Sequence, residues 1–207
     1  YGDHRDLHSF PTRRFPIFFA IRQMQAINAN AVDIQTNWMP SVRVLGDLRA
    51  GVITYRNVIR EHMLSELIEE KLAQEKTLET VVEANMKTRQ LYEKLITSPE
   101  ERALYTEWVE TWESYKKGAA EVMALSRKAA GSYPREAHDL NTTTVNLIGI
   151  KSDNILKKDI DLNNRGADVA GQDATNNYNT AFMLVAIMLG AAVLIGCVVG
   201  FYLVRDV

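Results

Sequence analysis

The chain has 207 residues, 24% of them charged, and a net charge of −2 at neutral pH. That balance lacks the basic surface that nucleic acids require, so no nucleic-acid partner is expected. The single cysteine, Cys197, rules out an internal disulfide, and a cysteine-free remainder offers no thiolate metal centre.

Residues 1–24 are anomalous. Their apolar stretch, from Phe15 to Ile21, is too short to cross a bilayer and lacks the pattern of a secretory signal. His4 and His8 stand four apart, as two ligands on one helix face would, but no third ligand accompanies them, and no metal is expected.

From about residue 23 the chain reads as long helices. Leu45, Leu48, Val52, Tyr55 and Ile59 recur every three or four residues, which predicts a first helix over 23–64. Pro40 lies inside it and should kink it or delay its straight part. A break is expected at 64–66, where Ser65 can cap a new helix. Leu78, Val81, Asn85, Thr88, Tyr92 and Leu95 then mark a second helix over 66–96. Ser98-Pro99-Glu100-Glu101 is a helix start, with Ser98 as N-cap, proline at the first helical position and Glu101 closing a capping box. Leu104, Trp108, Trp112, Tyr115, Ala119 and Val122 carry the third helix over 99–130. Core packing is the expected role of its aromatic stripe. Gly131-Ser132-Tyr133-Pro134 is the next break, with glycine ending one helix and proline opening another. Ile148, Ile155, Leu162 and Val169 repeat every seven residues along a fourth helix over 134–176.

At 1.5 Å per residue the outer helices measure roughly 60 Å and the inner two about 45 Å. Spacings near 3.5 residues mean nearly parallel packing. The fold class expected is all-α: an antiparallel up-down-up-down four-helix bundle whose last helix continues into a transmembrane helix. That continuation is the uncharged run 180–204. A hydrocarbon core of roughly 30 Å needs about 20 helical residues, so the run is long enough. Tyr178 before it, and Phe201 and Tyr202 near its end, sit where interfacial rings are expected. Arg205 follows at once, whereas 167–204 hold no lysine or arginine, which places the C-terminal end in the cytoplasm. Ala192, Gly196 and Gly200 recur every four residues, a spacing that lets two membrane helices approach closely.

Three stretches resemble a known family. Residues 28–65, with Trp38-Met39-Pro40, Leu45-Gly46-Asp47, Tyr55-Arg56 and His62, look like the first sensor helix of bacterial methyl-accepting chemotaxis proteins with a four-helix-bundle ligand-binding domain. Residues 95–108, LITSPEERALYTEW, resemble the bend between its second and third helices. The terminal FYLVRDV looks like the junction of a second membrane helix with a HAMP linker. The resemblance implies a sensor domain over 25–178, a membrane helix over 179–204 and the start of a cytoplasmic HAMP linker at 205–207. Residues 1–24 would then be the remnant of a first membrane helix, and both ends of the chain are expected to be cut. It further implies a homodimer in the bacterial inner membrane with a periplasmic sensor, and a downstream histidine kinase reached through a cytoplasmic domain. The same sensors also serve histidine kinases and cyclases.

Candidate site residues are few. Arg49, Arg56 and Arg60 share one stripe of the first helix. Guanidinium forks suit carboxylates, and arginines on this helix clamp ligand carboxylates in a related receptor class. Arg49 is expected instead to lie on a solvated face, pairing with Glu61 or with acids of a neighbouring helix. Asn141, Thr142, Thr143 and Thr144 begin the fourth helix, close by topology to Arg56 and Arg60, and could orient a small anion. The ligand site expected is Arg56, Arg60, Thr142, Thr143 and Tyr133, taking a small molecule such as an organic acid or amino acid, or a ligand-loaded binding protein. His62 and His138 are expected near the same end. No catalytic set of residues and no phosphate loop occur, so neither enzyme activity nor a cofactor is expected.

Overall fold

The computed structural model describes residues 15–205. Among them there is no strand. The helices are α1 (Phe15–Asp33), α2 (Met39–Leu64), α3 (Ile68–Glu93), α4 (Pro99–Lys128), the short α5 (Arg135–Leu140) and α6 (Asn146–Arg205). Two π-helical turns join them: Ile34–Trp38 between α1 and α2, and Asn141–Val145 between α5 and α6. The chain divides into two compact units, Thr36–Ala167 and a second made of residues up to Gln35 with Asp168 onward.

The unit Thr36–Ala167 is the helical bundle. Its topology follows from which residues meet. Arg49 reaches Asp153 and Arg56 reaches Asn146, so partner numbers fall on α6 as they rise on α2, and the two helices are antiparallel. Tyr55 meets Trp112 and His62 meets Ser126, so partner numbers rise together and α2 and α4 run parallel. Tyr92 meets Tyr105 while Arg89 lies over Trp108, which sets α3 antiparallel to α4. This is the up-down-up-down bundle expected.

Helix boundaries follow local chemistry. Ser98 Oγ accepts from the Glu101 backbone N–H at 3.1 Å, and Glu101 Oε2 accepts from the Ser98 N–H at 2.9 Å, with Pro99 at the first helical position. Gly131, at φ 79°, is the left-handed residue that closes α4. The break after Leu64 falls at Ser65, although Ser65 acts at the end of α2, where its hydroxyl donates to the Glu61 carbonyl. Proline at position 40 has no N–H for the preceding turn, and the π-helical turn Ile34–Trp38 stands directly before it.

The core is aromatic. Trp108, Trp112, Tyr92 and Tyr115 are fully buried beside Leu45, Leu48, Val52, Ile59, Ile155 and Leu156. The Trp108 and Trp112 rings stack 6.2 Å apart, and Tyr55 packs edge-on against Trp112 at 5.0 Å. The stripe expected on α4 is therefore core. The seven-residue repeat on α6 holds only in part. Val169 is exposed and Leu162 half-buried, while Leu156, Asp159 and Asn163 are buried. Polar residues take over the inward line there.

In the other unit, α1 begins at Phe15, earlier than the sequence periodicity indicates. Met24, Ile27 and Ala31 of α1 line a groove with Tyr178, Ala181 and Phe182 of α6. The apolar part of α6 is long enough to cross a membrane, and its most apolar stretch has no residue buried in the protein. His4 and His8 lie outside the described residues.

Candidate functional site

The end of the bundle where α2 finishes and α5 begins holds a cavity of about 310 Å³. Arg60, Met63 and Leu64 of α2 form one wall; Tyr133, Pro134, His138, Asn141, Thr142 and Asn146 form the other. Gly131 turns the chain back at this end, and its N–H donates to the Glu66 carbonyl at 2.9 Å, tying the α4–α5 turn to the α2–α3 turn. The Tyr133 and His138 rings lie 5.7 Å apart at the cavity mouth. Aliphatic walls, two rings, two amides and one guanidinium suit a small ligand with an apolar body and one anionic end.

The five expected residues separate here. Arg60, Tyr133 and Thr142 line the cavity together. Arg60 is exposed, and among the described residues no hydrogen bond or ion pair holds its guanidinium. Arg56 does not line the cavity. It is half-buried behind it, and its Nη2 donates to Asn146 Oδ1 at 3.0 Å, which positions a lining amide. Its aliphatic stem lies against α6 at Gly149, where a Cβ would stand 3.1 Å from Arg56 Cδ and 2.9 Å from the Tyr115 ring. Glycine at 149 thus creates the seat for Arg56. Thr143 faces elsewhere: its hydroxyl donates to the Asp139 carbonyl at 2.8 Å and it is exposed. The Thr142 hydroxyl also donates within its own helix, to the His138 carbonyl. These threonines stand in a π-helical turn, not at a helix start, and back-bond as threonines commonly do.

Arg49 forms a two-point pair with Asp153 of α6, Nε to Oδ1 at 2.7 Å and Nη2 to Oδ2 at 3.2 Å, the inter-helix one of its two expected pairings. His62 is not at the cavity. It is buried, with Nδ1 at 3.2 Å from Ser126 Oγ and Nε2 at 3.0 Å from Glu75 Oε1. Burial first, then the nearby Lys71 and Arg127 charges, hold its imidazole below the usual histidine pKa, against the pull of Glu75. Lys71 is buried beside it and donates to the His62 carbonyl at 2.8 Å and to Ser126 Oγ at 2.9 Å. Periodicity alone does not reveal this network, because a lysine after two glutamates in a charged stretch reads as surface. Asn141, named with the threonines from the sequence, lines the cavity, and His138 and Asn146 are further lining residues outside the expected set; the turn after Gly131 is the signal that brings them together.

Among the described residues no group of three histidine, cysteine or acidic side chains could hold a metal ion. The fold is an all-helical bundle with an open cavity at one end. A family model described as a four helix bundle sensory module for signal transduction matches residues 18–178, and the chain belongs to that family. No curated protein and no solved structure matches it. The family is a signalling module and not a known family of enzymes.

Proposed function

We propose that this chain is the sensor module of a transmembrane chemoreceptor, a chemotaxis transducer of the methyl-accepting type, that binds a small organic acid or amino acid. The single observation that carries the reading is the cavity in which Arg60, Tyr133 and Thr142 converge with Asn141 and Asn146. Arg60 binds the anionic end as a charge-assisted fork, the Asn141 and Asn146 amides orient the polar group, and Met63, Leu64 and Tyr133 enclose the apolar body. Arg56 acts through Asn146. Residues 25–178 form the sensor, 179–204 cross the bacterial inner membrane, and 205–207 open a HAMP linker. The sensor faces the periplasm, because the positive charge follows the apolar run. Closure of α2 on the α5 end displaces α6, and packed helix interfaces pass such a shift on as a discrete change of arrangement. A homodimer and a cytoplasmic histidine kinase complete the pathway.

The test is thermal unfolding of the full chain in detergent against a panel of organic acids and amino acids. A ligand that binds only the folded form raises Tm, by an amount equivalent to about 2.7 kcal/mol at a hundredfold excess over Kd. Arg60→Ala should abolish the rise and Thr143→Ala should leave it intact. A panel without any hit refutes direct sensing of these ligands. One observation favours a second reading: Leu64 and Tyr133 at the rim are 72% and 65% exposed, as a surface for a ligand-loaded binding protein would be. The same sensor on a histidine kinase or cyclase differs only in its output.

A further inference from the structure

The other end of the bundle contains two buried carboxylates with no cation paired to them among the described residues. Asp159 of α6 is 1% exposed and Glu101 of α4 is 0% exposed. Around Asp159, α3 contributes Tyr92, whose hydroxyl donates to Asp159 Oδ2 at 2.7 Å. From α6, Asn163 Nδ2 donates to Asp159 Oδ1 at 3.2 Å and to its backbone carbonyl at 3.0 Å. From α4 comes Glu101. Its Oε2 accepts from the N–H groups of Thr97 and Ser98, at 3.1 and 2.9 Å. Its Oε1 is buried and has no donor among the described residues, and the same is true of Asn163 Oδ1. From α2, the buried residues Ser41, Leu45 and Leu48 carry no charge, and Arg49 is held by Asp153. The charged residues of α3 nearby are engaged or outside: Arg89 and Glu93 meet the Tyr105 hydroxyl, and Lys94 is exposed, as are Lys157 and Lys158 of α6 and Arg102 of α4.

A carboxylate removed from water without a cation is costly, and a second one nearby makes it costlier. Hydrogen bonds from Tyr92 and Asn163 offset part of that cost for Asp159, and the capping N–H groups do so for Glu101. The remaining acceptors have nothing to accept. A proton on one member of the pair turns an acceptor into a donor and removes one of the two charges. Burial first, and the Glu101 charge after it, push the Asp159 carboxyl up to about 7.

We propose that the Asp159–Glu101 pair is a proton-binding site in the bundle core that ties the packing of α3, α4 and α6 to pH. It is independent of the cavity at the opposite end. The site lies on the helix that continues toward residue 205, so a periplasmic pH change acts on the same element as a bound ligand.

Two measurements on the full chain in detergent test it. The first compares the unfolding equilibrium of the wild type with Asp159→Asn between pH 5 and 8. Asparagine carries no charge and keeps one of the two acceptor oxygens, its N–H2 replacing the other. The ratio of folding constants, variant over wild type, should rise by up to tenfold per pH unit as pH increases toward 7, because the wild type gives up one proton on the way. Taking the ratio removes the contribution of His62, which titrates equally in both proteins. A ratio constant across this range overturns the proposal. The second is infrared spectroscopy of the wild type. A carboxylic-acid carbonyl band should persist at pH 6 and vanish by pH 8, with Glu101→Gln, which retains the cap, moving its midpoint to lower pH. Absence of that band at pH 6 overturns the proposal even if Asp159→Asn fails to fold.

Discussion

Gly51 sets two effects of opposite sign against each other. It lies inside α2, where glycine costs about 1 kcal/mol relative to alanine through backbone entropy. On propensity alone Gly51→Ala should stabilise the protein. The bundle forbids it. A Cβ at this position would stand 1.9 Å from Asn85 Oδ1, 2.7 Å from its Cγ and 2.8 Å from its Nδ2. Asn85 is 3% exposed, so its amide has no solvent to move into. Overpacking of this kind costs about 1–3 kcal/mol, and the displaced amide adds to it. The net loss should be about 1–2 kcal/mol, which for a domain of this size lowers Tm by about 3–6 °C. Circular dichroism melts of the full chain in detergent measure it. In an Asn85→Ala background the obstruction is gone, and the same substitution should become neutral or stabilising by up to about 1 kcal/mol. A double-mutant cycle isolates that coupling. A rise of Tm on Gly51→Ala in the wild-type background would show that Asn85 gives way and helix propensity prevails.

Trp108→Ala should cost about 3–5 kcal/mol, since the ring is fully buried against Tyr105 and Trp112. Trp108→Phe should cost much less, because the indole Nε1 has no hydrogen-bond partner to lose; urea unfolding compares the two. His62 should make the protein acid-sensitive. Its folded pKa lies below its unfolded one, so the unfolded chain takes up the proton first. The stability it contributes is complete above about 6.5 and is lost as pH falls from there toward the folded value. His62→Gln should flatten that loss in pH-dependent melts, and an unchanged slope would exclude His62 as its source.

Much of the fold can be read directly because its determinants are local. The Ser98–Glu101 box, the glycine at 131 and the tryptophans at 108 and 112 each act through neighbours within a turn or two, and each stands as its spacing indicates. The α6 core line is less legible. An apolar repeat points to Val169, whereas the inward positions are Asp159 and Asn163, whose burial depends on Tyr92 and Glu101 of other helices. The candidate site shows the same division. Arg56 and Arg60 share a stripe of α2, yet one props an asparagine and the other lines the cavity. That difference arises from the π-helical turn Asn141–Val145, whose additional residue per turn changes which side chains of α5 and α6 face α2. Thr143 is turned outward, and adjacency to Thr142 in sequence carries no information about it.

The aromatic core also has an optical consequence. The chain has three tryptophans, and Trp38, Trp108 and Trp112 all belong to the bundle unit. The apolar run 180–204 contains none. Intrinsic tryptophan emission therefore reports on the bundle alone, even when the protein sits in detergent or lipid. The stacked Trp108–Trp112 pair, with the Arg89 guanidinium 5.6 Å above the Trp108 ring, dominates the buried signal. Trp38 is half-buried over Gly166 and supplies a second, wetter chromophore near the other end of α2. Red-edge excitation and quenching by iodide should separate the two populations without any introduced label.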